Sequence, residues 1–368
     1  MELKGQWIGR IHDGTNDGLV TLNIDSDTPN SGVILVFDID TDKASTISDV
    51  KLELEGQTVK GQMSNFTFHA HAWHTADDCA PFQNSIPASA QLIGTIDDNL
   101  EIVGDWTSDI GTKGRFILTY REPQKTFEVS QDSIVSWKEF RERALSDEML
   151  SGNLIFRGQK SSDFDLTTHF HRLGRRNMRR FFNDLIYLQH VVAATQNRKL
   201  DLNNPEEFTE LMFLGQHHGF PTPLLDWSFS PFVAAFFAFK DIEKNTKTEG
   251  YARVFVFDRE GWKLTGPHAA DSVLDPRPAL RILEVLSRDN LRATPQQSIV
   301  MFSNMANIEN CIQYFEGQSD RKVIRYFDIP YSERNTVMTE LRHMGITHSS
   351  MFPGLDGACQ ALREKLFK

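Results

Sequence analysis

From Gln6 to Tyr120 apolar and polar residues alternate in short runs, as in Leu19-Val-Thr-Leu-Asn-Ile24 and Gly32-Val-Ile-Leu-Val-Phe37, broken by turn-rich stretches, HDGTNDG after Ile11 and DSDTPNSG after Ile24. A period of two bounded by Gly, Asn, Asp and Pro predicts strands and tight turns. No helical stripe precedes Ser133. This portion therefore reads as an antiparallel β-barrel or sandwich, opening with Gln6-Trp7-Ile8-Gly9 and closing with Gly114-Arg-Phe-Ile-Leu-Thr-Tyr120, with Arg121–Lys125 as a linker.

Beyond the linker the period changes. Ser136 with Glu139 forms a capping-box pattern ahead of Trp137, Phe140 and Ala144, and Asn204-Pro205-Glu206-Glu207 starts a helix carrying Phe208, Leu211 and Met212 that should stop at Gly219. Strands are expected at Leu154–Phe156, Arg253–Phe257 and Val323–Phe327, and helices near Glu333–Met344 and Leu355–Leu366. The expected organisation is an acidic all-β domain over residues 1–125 and a mixed α+β domain over 126–368.

A chain of 368 residues is long enough for two cores. Its net charge of −11 is uneven: residues 1–125 hold 19 acidic and 9 basic side chains, so the acidity belongs to the β-domain. Strong attraction to nucleic acid is not expected, because backbone binding needs clustered cations. The one basic cluster, Arg172, Arg175, Arg176, Arg179 and Arg180, is local and reads first as a solvated helix face. Three scattered cysteines argue against a disulfide framework. No apolar run resembles a signal sequence or a membrane span, so a soluble cytoplasmic protein is expected.

Three stretches place polar side chains where a core would want apolar ones. In Phe156-Arg157-Gly158-Gln159, the arginine either pairs a carboxylate such as Asp226, with the glycine serving a turn, or presents a fork to a ligand phosphate or carboxylate, with the glycine letting that ligand approach the backbone. In Leu214-Gly-Gln-His-His-Gly-Phe-Pro-Thr222, a 100° projection puts His218 on the core stripe and leaves Gln216 and His217 on its flanks. His217 is the site candidate, and a helix C-terminus favours its protonated form, so it can serve as a cationic contact or as a base. In Leu224-Leu-Asp-Trp-Ser-Phe-Ser-Pro, Ser230-Pro231 starts an apolar helix beside Asp226, Trp227 and Ser228, which offers backbone N–H groups near an aromatic platform for an anion or ribose. Capping alone would also explain both serines.

These stretches, with Ala234-Ala-Phe-Phe-Ala238, Gln296-Gln-Ser298, Gly345-Ile-Thr347 and Met351-Phe-Pro-Gly-Leu-Asp-Gly357, resemble the FRG-domain family, named for its Phe-Arg-Gly motif. The resemblance runs from about Ser133 to Phe367. It departs from the family pattern at Pro223, where arginine or another polar residue usually stands, at Ser228 (threonine) and at Ser298 (glycine).

A more distant resemblance is to ADP-ribosyltransferases that cleave NAD+: an early strand-end arginine, a serine-rich turn feeding an apolar helix, then a late polar residue. It implies NAD+ as substrate and no metal. Arg157 would anchor phosphate or ribose, Ser228 and Ser230 would contact ribose and nicotinamide, and Trp227 or Phe229 would stack. Phe156, Gly158, Gln159, Gln216 and Asp226 complete the binding set, and Arg157, His217 and Gln297 the catalytic one. Such transferases use a late glutamate, whereas Ala293–Met301 contains no carboxylate. Gln296 or Gln297 can orient a substrate but cannot act as a base. Glu284 or Glu309 must then reach the site, or His217 must act, or the pocket binds without turnover. The competing class is a non-catalytic sensor or effector of a bacterial defence or toxin system, binding a nucleotide or nucleic-acid end through Arg157, His217 and the arginines around Arg175.

In the β-domain, Phe68-His-Ala-His-Ala-Trp-His74 with Cys79 suggests a zinc-like set, but the regular paired ligand spacing is missing. Solvated histidines are the favoured reading. The domain reads as a recognition or regulatory module with an unnamed protein or ligand partner.

Overall fold

The computed structural model describes residues 2–38, 44–70, 86–121, 126–202, 204–244, 248–266, 277–284 and 292–367. Eight strands, β1 (Gly5–His12), β2 (Asp17–Ile24), β3 (Ser31–Asp38), β4 (Ala44–Glu55), β5 (Thr58–Ala70), β6 (Ala90–Ile96), β7 (Glu101–Ser108) and β8 (Lys113–Tyr120), pair in order. Strand β8 returns to β1 from Trp7↔Tyr120 to His12↔Arg115, so the sheet closes into a barrel rather than a sandwich. Closure leaves no edge strand to protect. On β6 the alternation is strict, with Ala90, Leu92 and Ile96 buried and Gln91, Ile93 and Thr95 outside. His69 lies at the end of β5, while His71, His74 and Cys79 fall outside the described residues.

The second region holds a sheet of β9 (Leu154–Gln159), β10 (Leu224–Ser228), β11 (Tyr251–Asp258), β12 (Leu280–Leu283), β13 (Ser298–Ser303) and β14 (Ile324–Pro330) in the order β12-β13-β10-β9-β11-β14, every neighbour antiparallel. Helices α1 (Trp137–Ala144), α2 (Met178–Gln196), α3 (Pro205–His217), α4 (Pro231–Phe239), α5 (Ile308–Ser319), α6 (Arg334–His343) and α7 (Leu355–Leu366) accompany it. The expected caps form: Ser136 and Glu139 make the capping box, Asn204 accepts from the amides of Glu206 and Glu207, and Ser230 accepts from that of Val233.

Helix α4, apolar on every side, packs on the sheet with Phe156, Val254 and Val256, while Ile155, Trp227, Phe255 and Phe257 form a second core on the opposite face. Burial on both faces explains why the central strands lack alternation. Among the described residues no helix is long and apolar enough to cross a membrane.

The arginine cluster is not a solvated face. Asp25, 1% exposed at the end of β2, accepts from the amides of Arg176 (2.5 Å) and Asn177 (2.8 Å) and pairs with Arg175 (2.9 Å) and Arg180 (3.1 Å). Arg180 also holds Asp27 at 2.8 Å, and Arg179 reaches Asp49 at 3.3 Å. Gln6 adds a neutral clasp, donating to the Asn304 carbonyl and accepting from the Ala306 amide. Part of the β-domain's acidity is thus answered within the chain. Thr21 and Asn23 are buried too, which interrupts the alternation on β2.

Candidate functional site

Strand β9 pairs with β11 along its whole length, from Leu154↔Asp258 to Gln159↔Arg253, but with β10 only at Ser228↔Phe156. Beyond that rung the two central strands no longer pair, and a cavity of about 330 Å³ occupies the gap. Its walls are Phe156, Arg157 and Gly158 from β9, Asp226, Trp227 and Ser228 from β10, Phe213, Gln216 and His217 from α3, and Ala234 and Phe237 from α4. Arg292, Gln296, Ser298 and Phe352 complete the lining.

Arg157 bridges the split. Its Nη1 donates to the backbone carbonyl of Asp226 at 2.7 Å, standing in for the missing ladder bond, while its Nε is buried without a partner. The arginine therefore grips the main chain of Asp226 and not its carboxylate. Burial lowers the guanidinium to about 10, with Asp226 opposing the shift, so it remains charged at neutral pH.

The Asp226 carboxylate accepts from Gln216 Nε2 at 2.5 Å, and Thr222 Oγ1 donates to Gln216 Oε1. Asp226 is surrounded by protein yet opens to the cavity. Enclosure raises its carboxyl above the ordinary value, against the lowering influence of Arg157, Gln216 and Arg172. Water reaching it through the mouth moderates that rise.

His217, half-buried in the wall, is held down to about 4, first by burial and then by Arg292 and His218. The imidazole is neutral at physiological pH, which removes the cationic role expected from the helix C-terminus. His218 is exposed rather than in the core: α3 ends at His217, His218 is its C-cap, and Gly219 turns the chain at φ +87°, so the helical projection no longer applies there.

Gly158 lines the cavity but serves no turn. Its φ is not positive, and a Cβ there would stand 1.9 Å from the carbonyl oxygen of Ala234, so the glycine lets α4 lie against the sheet. Ser228 is buried and committed, its hydroxyl donating to the Gln296 carbonyl at 2.7 Å and accepting from the Ser230 amide at 3.0 Å. Ser230 caps α4 and lies outside the lining, and these two serines take up the amides expected to receive an anion.

Trp227 borders the cavity, but the residue is 2% exposed and its ring packs against Phe257 at 5.7 Å, and Phe229 lies under Arg259 outside the lining. The half-buried aromatic surface comes from Phe237 and Phe352, whose ring centroids are 5.9 Å apart. Gln159 is buried elsewhere, donating to the Asp165 carbonyl. Gln297 is exposed with a left-handed backbone (φ 46°), and its neighbour Gln296 faces the cavity instead.

Neither remote glutamate reaches the cavity. Glu284 pairs with Arg259 at 2.7 Å, and Glu309, 2% exposed, accepts from the amides of Thr126, Phe127 and Leu166. Asp226 is the carboxylate beside Arg157. Phe213, Phe237, Arg292 and Phe352 were absent from the expected set. Phe213 precedes Gln216 and His217 by one turn on α3, a spacing the sequence displays, and Phe352 stands in the MFPGLDG stretch. Nothing around Arg292 marks it in sequence. Among the described residues no group of three His, Cys, Asp or Glu side chains could hold a metal ion.

The model of the FRG domain family matches residues 152–247, which include β9, α3, β10 and α4. The stretches around Gln296 and Met351, expected from sequence to belong to the same pattern, lie outside the match. No curated protein matches the chain. Among solved structures it is similar to a de novo designed fluorescence-activating β-barrel, at 12% identity over 32% of this chain and 94% of that one, with a TM-score of 0.21, too low to carry an argument. None of these matches is an ADP-ribosyltransferase, so that resemblance gains no support.

Proposed function

We propose that the cavity binds a phosphate-bearing nucleotide, with NAD+ the first candidate, and cleaves its nicotinamide–ribose bond. The observation that carries the reading is the meeting of Arg157, Asp226 and Gln216 at a gap between central strands, beside Arg292 and an aromatic wall. Arg157 and Arg292 suit the phosphates, and Phe237 and Phe352 the nicotinamide ring. As the C–N bond breaks, its electron pair leaves with nicotinamide and the positive charge developing at the ribose carbon faces the Asp226 carboxylate. Water attacking that carbon passes its proton to the neutral imidazole of His217.

Incubation of the purified chain with NAD+ and chromatography of the products tests this. Wild type is expected to release nicotinamide, Asp226→Asn to bind NAD+ without release, and Arg157→Ala to lose binding. Binding by wild type without release overturns the catalytic reading. The second reading, a nucleotide sensor, then stands.

A further inference from the structure

Gln216 lies in the last turn of α3 and Thr222 in the connection from α3 to β10. Thr222 is fully buried and its hydroxyl donates to Gln216 Oε1. An amide whose oxygen is occupied in this way can only offer its NH2 on the other side, and Gln216 Nε2 meets Asp226 Oδ1 at 2.5 Å. From the other side Arg157 fixes the Asp226 carbonyl at 2.7 Å. Main chain and side chain of Asp226 are both held, which leaves Oδ2 as the oxygen available to the cavity.

We infer that Gln216, locked in one orientation by Thr222, is a positioning residue that keeps the Asp226 carboxylate ionised and aimed at the ligand. The inference deepens the proposed cleavage and rests on it for its catalytic meaning. The charged and titratable groups around Asp226 are Arg157 on β9, Arg172 in the short helix His169–Arg172, and His217 and Arg292 in the cavity wall. Arg157 and Arg172 favour the carboxylate and enclosure opposes it. The amide donor therefore adds to the influences that favour the carboxylate, and its loss raises proton affinity.

The test is a titration of Asp226 in the ligand-free full chain carrying carboxyl-13C aspartate, its signal assigned by disappearance in Asp226→Asn. Gln216→Leu is expected to raise the Asp226 pKa by about one unit, a tenfold gain in proton affinity. Thr222→Val should move it in the same direction by less, while Thr222→Ser, which restores the hydroxyl, should titrate as wild type. The acid limb of nicotinamide release should move with each variant. An unmoved titration in Gln216→Leu, or Thr222→Ser behaving as Thr222→Val, overturns the inference. Should Gln216→Leu fail to fold, the two Thr222 variants decide it alone. If wild type releases no nicotinamide, the proposed cleavage falls, while the titration still decides the positioning role.

Discussion

Replacing Gly158 by alanine adds one methyl group at the tightest crossing in the second region. The new Cβ would stand 1.9 Å from the Ala234 carbonyl oxygen and 2.6 Å from the Ala238 amide nitrogen, where ordinary contact begins near 3.4 Å. Both obstructing atoms are helix backbone, so no side chain can swing aside, and α4 must withdraw by about 1.5 Å. That withdrawal loosens the packing of Phe236 and Phe239, each fully buried. Overpacking costs about 1–3 kcal/mol in general, and rigid obstruction places this case at about 3 kcal/mol or more. At about 2–4 °C per kcal/mol the melting temperature should fall by about 6–12 °C. Because Ala234 and Phe237 line the cavity, the proposed binding of NAD+ should weaken as well. Urea denaturation followed by near-ultraviolet dichroism reads the effect. Gly317→Ala on α5, where a Cβ meets nothing within 4 Å, is the control and should stabilise by about 0.5–1 kcal/mol. A loss below about 1 kcal/mol in Gly158→Ala would refute the argument that this glycine exists for helix approach.

Two further outcomes follow from the charges. His217 at about 4 and His171 well below its usual value, each displaced first by burial, are neutral in the folded chain and protonate near 6.5 when unfolded, so their contribution is present above about pH 6.5 and is lost as pH falls toward 4. For half-exposed His217 the two-and-a-half-unit shift bounds this at about 3 kcal/mol, and solvent screening reduces it to about 1–2 kcal/mol. Asp226 and Glu309, displaced upward, act in the opposite sense in the acid range just above their ordinary values. Urea midpoints should fall from pH 7.5 to pH 5, less steeply in His217→Asn; a level profile would sink the assignment. At the junction with the barrel, Asp25→Ala strands buried donors and should cost about 3–5 kcal/mol, whereas removing Asp27, whose side chain is 54% exposed, should cost at most about 1 kcal/mol. Equal effects in thermal melts would contradict the distinction.

The barrel and the helix starts were legible because they follow local rules: alternation along β6, the box at Ser136, the Asn204-Pro205 and Ser230-Pro231 caps. Arg157, Gln216, His217 and Asp226 were legible as polar residues embedded in apolar stretches. What escaped was three-dimensional. No strand is expected at Leu224–Ser228 because a five-residue central strand has no room to show a period, and the role of Gly158 depends on a helix 76 residues later in the chain, measured to Ala234. The arginines near Arg175 read as a solvated face since the buried carboxylate they share, Asp25, lies some 150 residues away. Gln296 and Gln297 are chemically identical, and only the left-handed turn at Gln297 decides which one faces the cavity.

The single rung between β9 and β10 also bears on kinetics. Central strands are the last elements to open in native-state fluctuations, so a ligand between them cannot depend on breathing of the sheet to enter or leave. Its traffic must pass the half-buried side chains of the lining, His217 and Phe352 among them, whose rotamer changes are fast. A gap built into the folded sheet also needs no ordering of loops on binding, which spares the ligand that entropic cost. Residence time should accordingly follow the bulk of the residues at positions 217 and 352, and be nearly indifferent to denaturant below the unfolding transition.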